Sequence, residues 1–292
     1  MAAHAGRSFS ARRRIMKRED AKELADRALV DLQQDLQAGR STLLQRFLDC
    51  MSRFHNYSWN NCMLIAFQMP EASLVAGFRR WLELGRHVRK GEKGIGILAP
   101  LAYRKKEETE NPDNESEHVV RGFKVVHVFD VSQTEGEDLP QLAGIHGEPG
   151  QSLAGLEGLV RRSGITLKDE VLPLGTKGLS RKGEIAIAEG LPAAERFAVL
   201  AHELAHEWMH DEEHRLHMPK TVRETEAEAV AYVVCRAFGF DCSTRSSDYI
   251  QLYRGDATTL AESLERIQKT ATRIIQSLDE TPSVEEGQRH VA

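Results

Sequence analysis

Between Met16 and Gln37 the apolar positions Ala21, Leu24, Ala25, Ala28, Leu29, Leu32 and Leu36 recur at helical spacing, with charged residues filling the intervals. A second helix is predicted over Leu43–Phe54, with Leu44, Phe47, Leu48 and Met51 on one face. A third begins near Ser58, carries Met63, Leu64 and Phe67, and stops before Pro70, whose ring cannot continue a helix. The pattern then changes to β-branched runs, "GIGILAPL" and "FKVVHVFDV", which read as strands. The polar, acidic "KKEETENPDNESEH" between them reads as an exposed loop. In "SQTEGEDLPQLAGIHGEPGQS" glycine and proline occur without periodicity, as in a linker. Beyond it, a helix at Ser152–Arg162, short strands in "ITLKDEV" and "EIAIAEG", and helices to about Leu278 are expected.

The expected fold is α+β in two domains. Residues 1–16 form a basic leader, 17–132 the first domain, 133–150 the linker, 151–278 the second domain and 279–292 a tail. A length of 292 residues, above the usual size of one core, fits that division. No apolar run approaches the ~20 residues of a membrane-spanning helix. The leader also lacks the apolar segment of a signal peptide, so a cytoplasmic protein with no membrane partner is expected. Cys50, Cys62, Cys235 and Cys242 show no zinc-finger or CxxC spacing and have apolar neighbours, as buried reduced thiols do. Charge is unevenly spread. Up to Asp130 there are 22 Lys+Arg against 17 Asp+Glu, and the remainder holds 17 against 27, so the front half suits an anionic partner better.

The stretch "AHELAHEWMH" contains HExxH in two overlapping registers, His202-Glu203-x-x-His206 and His206-Glu207-x-x-His210. Histidines four apart share one helix face and can grip one ion, while the intervening glutamate sits beside the ion as a general base. The first register follows "RFAVLA" and encloses Leu204-Ala205, a helix fit for burial; the second runs into Asp211-Glu212-Glu213. A dry site favours His202 and His206 as ligands with Glu203 as base, leaving His210 to support them or face solvent. For the third ligand, "RETEAEAVAYVV" offers Glu224, Glu226 and Glu228. Glu226 shares its stripe with Ala229, Val230, Val233 and Ala237, and a metal would explain a carboxylate there; Glu226 is chosen, with Glu228 in reserve. "EIAIA" precedes the motif as a candidate substrate-binding edge strand, and Tyr232 and Tyr253 are oxyanion candidates by residue type only.

In the front half Arg79, Arg86, Arg89, Lys90 and Lys93 supply basic groups for phosphates, and Trp59 and Trp81 supply rings for stacking on bases.

"HELAHEWMH…ETEAEAVAYVV" resembles the metallopeptidase domain of the ArdC antirestriction family, related to the ImmA/IrrE group. The resemblance implies a gluzincin-like fold with His202, His206 and Glu226 on Zn²⁺ and Glu203 as base, in agreement with the helix-wheel choice. "WNNCMLIAFQMPEASLVAGFRRWLELGRHVRKGEKGIGILAP" and "VHVFDVSQTEG" resemble the N-terminal domain of the same family, which is similar to domains of TraC-type plasmid primases. That half is thereby implied to bind single-stranded DNA without strong sequence preference. Together the resembling segments span about residues 17–275. The implied function is an antirestriction protein of mobile DNA that protects incoming DNA from host restriction and carries a zinc metallopeptidase domain. Its partners would be single-stranded DNA and a protein substrate or restriction enzyme. Two rivals stand beside it: an ImmA-like regulatory peptidase that cleaves a repressor, and a DNA-binding protein with a non-catalytic zinc site.

Overall fold

The helical periodicity of the front half becomes three helices, α1 (Arg18–Gln37), α2 (Thr42–Arg53) and α3 (Trp59–Gln68). The computed structural model describes residues 16–104, 118–139, 149–210, 217–240 and 257–279. The "KKEETENPDNESEH" insertion up to residue 117, the core of the linker (140–148), Cys242, Tyr253, the leader before Met16 and the tail from residue 280 lie outside them. Helix α1 ends where Gly39 takes φ 75°: its N–H donates to Leu36 O and that of Arg40 to Asp35 O. These two bonds satisfy the last carbonyls of the helix, and a residue with a Cβ would be strained there.

After α3 come β1 (Val75–Gly77), α4 (Phe78–Glu83), β2 (Arg86–Val88), β3 (Ile95–Arg104), β4 (His118–Asp130) and β5 (Thr134–Gly136). Strands β3 and β4 are the two runs legible in the sequence. They pair antiparallel, with β1 on the other side of β4. The short β2–β5 pair places Thr134–Gly136 against Arg86–Val88, so the first folded part continues through Gly136, inside the stretch expected as linker.

The back half holds α5 (Pro149–Arg162), β6 (Thr166–Glu170), β7 (Gly178–Ser180), β8 (Glu184–Ala188), α6 (Ala193–Met209), α7 (Lys220–Ala237) and α8 (Ala257–Asp279). Strand β8, the "EIAIA" segment, is central: it pairs parallel with β6 and antiparallel with β7. The edge beside α6 is therefore β7, not the "EIAIA" strand expected there. Being central is what makes β8 apolar on both faces, with Ile185, Ala186 and Ile187 all buried.

The two halves share one continuous buried cluster. Leu32, Leu36, Leu48 and Met51 belong to it together with Phe197, Leu200, Val230 and Ile267. Helix α2 packs on α7, and α8 packs on α1 and α3. Polar bonds reinforce this seam. Gln268 Nε2 donates to the carbonyls of His55 and Tyr57 at 2.8 Å, and Thr272 Oγ1 donates to His55 O at 2.7 Å. Cys50, Cys62 and Cys235 are buried free thiols, and burial pushes that of Cys50 up to about 12. No helix of the described residues is long and apolar enough to cross a membrane.

Candidate metal centre

Helix α6 carries both registers of the HExxH motif, and its neighbours separate them. Glu207, the glutamate of the second register, accepts from Ser180 Oγ and from Gly183 N at 2.7 Å, tying the β7–β8 turn to the helix. Glu203, of the first, instead lines an open cleft of about 460 Å³ together with Gly175, Thr176, Lys177, Gly178, His202 and Glu224.

Three donor atoms converge at this cleft. His202 Nε2 and His206 Nε2 lie 3.1 Å apart. Glu224 Oε2 stands 3.5 Å from the first and 3.4 Å from the second. Bonds of ~2.0–2.1 Å around a tetrahedral ion separate its donors by about 3.3 Å, so these distances fit one divalent cation. Two imidazoles and one carboxylate leave a fourth position for water or substrate, as catalytic rather than structural zinc sites do.

The third residue of this cluster is Glu224 rather than Glu226, the residue chosen from the sequence. Glu226 is fully buried but points elsewhere: its Oε2 lies 3.0 Å from His210 Nε2, and its Oε1 accepts from Arg266 Nη2 at 2.6 Å. Glu224 takes its place. Glu228, the reserve, stands 3.2 Å from the far nitrogen of His202, Nδ1, off the line of a good N–H donation. The physical reason lies in α7, which is packed by α6, α8 and α2 and buries residues nearly all round. An apolar stripe on such a helix marks burial without saying which neighbour it meets. Glu224 and Glu228, one turn apart, face His202 and His206, whereas the Glu226 stripe faces α8 and the end of α6.

The electrostatics suit a cation. Burial opposes a charge on His202, yet Glu224, Glu228 and Glu203 lift its pKa to about 9. The imidazoles of His202 and His206 hold the Glu224 carboxyl well below the usual range. Burial pushes the Glu203 carboxyl up, partly opposed by the same two imidazoles. Strand β7 reaches Glu203 only because residue 178 is glycine: a Cβ there would stand 2.5 Å from Val199 Cγ1 and 2.7 Å from Glu203 Oε1. Tyr232, an oxyanion candidate by type, donates to Asp49 Oδ1 at 2.8 Å, bridging α7 to α2 away from the cleft.

The front-half set divides. Trp81 is fully buried and donates its Nε1–H to Phe129 O at 2.9 Å, so it is a core residue and not a stacking one. Trp59 is half-buried against the central cluster. Arg86 spends its guanidinium on Thr134 Oγ1, Thr134 O and Glu137 O, holding β5 in place. Arg89 bonds Glu92 and Ser132 O. Arg79, Lys90 and Lys93 are exposed. Among the described aromatic rings of the front half, Phe78, Phe123 and Phe67 are the exposed ones, at 50%, 45% and 39%, and Phe78 and Phe123 are more open than either tryptophan chosen from the sequence.

Comparison with known proteins fits this architecture. Residues 20–131 match the family described as the N-terminal domain of anti-restriction factor ArdC. An uncharacterized protein of Bacillus anthracis is 27% identical over 90% of this chain, which spans about half (52%) of that relative's length. The crystal structure of the antirestriction ArdC protein from the R388 plasmid, metal-free, superposes with a TM-score of 0.53 at 20% identity, covering 90% of this chain and 99% of that one. Its Mn(II)-bound form superposes equally well, with a TM-score of 0.53 at 19% identity over the same shares. Residues 20–131 thus match the ArdC N-terminal domain, and the chain as a whole shares the α+β fold of the R388 protein.

Proposed function

We propose that this protein is an antirestriction factor in which a single-stranded-DNA-binding front half is joined to a gluzincin-like zinc metallopeptidase. The observation that carries the enzymatic reading is the convergence of His202, His206 and Glu224 beside the buried Glu203 in one open cleft. A Zn²⁺ ion held by the three would polarise a carbonyl and acidify water. The Mn(II)-bound R388 relative supports a divalent cation at such a fold.

The rest of the chemistry belongs to this chain. Glu203 takes the proton of the attacking water as its oxygen bonds to the carbonyl carbon, and delivers that proton to the amine nitrogen as the C–N bond breaks. An extended peptide running along the edge that β7 leaves unpaired among the described residues would bring its carbonyl to this point, since β7 lies directly against α6. In the front half, phosphates meet Arg79, Lys90 and Lys93, and bases stack on Phe78 and Phe123. Tethering to DNA raises the local concentration of the peptidase near proteins that act on the same DNA.

The test compares wild type with Glu203→Gln for protection of DNA against restriction and for cleavage of host proteins. Loss of both in a variant that still binds DNA supports the peptidase reading. Full protection by Glu203→Gln would instead make the protein a steric shield with a non-catalytic metal.

A further inference from the structure

We infer that His210 and Glu226 are positioning residues for the metal centre, fixing the tautomer and orientation of His206 through a buried carboxylate–imidazole–imidazole chain. The inference rests on reading His202, His206 and Glu224 as the ligand set.

The chain is defined by three contacts. His206 presents Nε2 to the other two donors, at 3.1 and 3.4 Å. Its other nitrogen, Nδ1, lies 3.0 Å from His210 Nδ1. His210 Nε2 lies 3.0 Å from Glu226 Oε2. The two ends fix every proton between them. A ligand Nε2 must carry its lone pair, so the proton of His206 is on Nδ1 and is donated to His210. His210 then accepts at Nδ1 and carries its own proton on Nε2, donated to the carboxylate of Glu226. No other neutral arrangement satisfies both contacts.

The burial of this chain separates it from an incidental surface contact. The side chains of His210 and Glu226 are both 0% exposed. A carboxylate in that position is costly unless its charge is met, and Arg266 Nη2 meets it at 2.6 Å while also donating to Ser263 Oγ at 3.1 Å. Four polar groups, at the end of α6 and on α7 and α8, thus form a buried network that reaches His206. His202 has a nearer carboxylate, with Glu228 Oε2 3.2 Å from its Nδ1 but off the line of a hydrogen bond. A carboxylate thus stands near each histidine, and that of Glu226 reaches His206 by way of His210. This explains the overlapping motif: His210 continues the four-residue spacing because it must stack behind His206, and it binds no metal itself.

The test is Zn²⁺ affinity of the full chain, read by competition with a chromophoric chelator, for wild type, His210→Phe and Glu226→Gln. Side-chain ¹⁵N shifts of His206 report the tautomer, and circular dichroism with a thermal melt checks folding. Partners that orient a ligand histidine typically contribute roughly ten- to a hundredfold in metal affinity. That loss is expected in His210→Phe, with the His206 Nδ1–H signature weakened or lost. Affinity within twofold of wild type in a folded His210→Phe, with an unchanged His206 signature, overturns the inference. If His210→Phe does not fold, Glu226→Gln decides by the same two readings. A wild type that takes no Zn²⁺ removes the ligand-set reading itself, and that outcome is distinct from a wild type that binds while its variants bind equally well.

Discussion

Asn61 holds Leu98 as a neighbouring strand would: its side-chain amide accepts from the Leu98 N–H and donates to the Leu98 carbonyl, each at 2.9 Å. Two turns along α3, Gln68 does the same for Gly96, at 2.9 Å in both directions. Residues 96 and 98 point their backbone groups away from β4, so two amides on one helix face close the open edge of the sheet. An uncovered edge is a template for pairing with another chain. Asn61→Leu keeps the volume but leaves the N–H and C=O of Leu98 unpaired. Each orphaned group costs about 1–3 kcal/mol, so a loss of ~2–4 kcal/mol in urea unfolding is expected, with a rise in aggregation. A loss below about 0.5 kcal/mol would mean that the edge needs no cover.

The choice between Glu224 and Glu226 as the third donor has its own test. Glu224→Ala removes a donor atom that lies within 3.5 Å of both histidine nitrogens, and a folded protein with little bound metal is expected. Glu226→Ala removes a side chain outside the His202–His206–Glu224 cluster; it leaves Arg266 and His210 without their buried partner, and destabilisation of about 3–5 kcal/mol is expected with metal still bound in excess. Metal content by elemental analysis and stability by thermal melting separate the two. A protein that loses its metal on Glu226→Ala and keeps it on Glu224→Ala would restore the sequence-based assignment.

How far the sequence reached depends on which interactions carry each element. Helices α1–α3 and strands β3 and β4 were legible because each buries one face or one whole run, and burial writes a period into the chain. Strands β1, β2, β5 and β7 were not, since three residues hold no period and are placed by pairing partners far away in the chain. That His202, Glu203 and His206 would come together was legible because their spacing on one helix fixes it. Glu224 was not, because it is defined by which face of α7 meets α6. Even so, a pair of glutamates four apart opposite a pair of histidines four apart was a usable signal. Trp81 misled because a large ring near basic residues reads the same whether it faces a base or the core.

Asp130 gives a pH-dependent prediction. Its buried carboxylate accepts from Ser73 N at 2.7 Å, Leu74 N at 3.0 Å and Ser132 N at 2.9 Å, clamping β1 to the end of β4. Burial raises its pKa, but the donated N–H groups outweigh this and hold it below the usual value. A depressed folded pKa stabilises the fold above the unfolded pKa of about 3.9, and that stabilisation is lost as pH falls through the folded value. Wild type should therefore lose stability below about pH 4 more steeply than Asp130→Asn, which should be weaker by ~1–3 kcal/mol at pH 7. Parallel curves for the two proteins between pH 3 and 7 would show that this carboxylate adds nothing through its charge.

Phe78 and Phe123 decide between a basic surface and a single-strand platform. Phe123 and Phe129 lie on the same face of β4, and the Phe78 ring meets Phe129 edge-on with centroids 6.4 Å apart. A ring at 45–50% exposure has given up burial that a core position would have supplied, which is the condition for stacking on a base. Base stacking contributes about 1–3 kcal/mol per base, so Phe78→Ala and Phe123→Ala should each weaken binding of a labelled single-stranded oligonucleotide roughly five- to a hundredfold. The salt dependence should stay unchanged, because no phosphate contact is removed. Changing Lys90 and Lys93 to Ala should do the reverse, lowering the slope of log affinity against log salt by about 1.4. Trp81→Ala should act on stability instead, through its buried ring and its bond to Phe129 O. If both phenylalanine variants bind DNA as wild type does, the bases lie elsewhere and only the charged residues remain as contacts. If Trp81→Ala folds with unchanged stability and loses DNA, the sequence-based choice of tryptophan was right and the exposed phenylalanines are incidental.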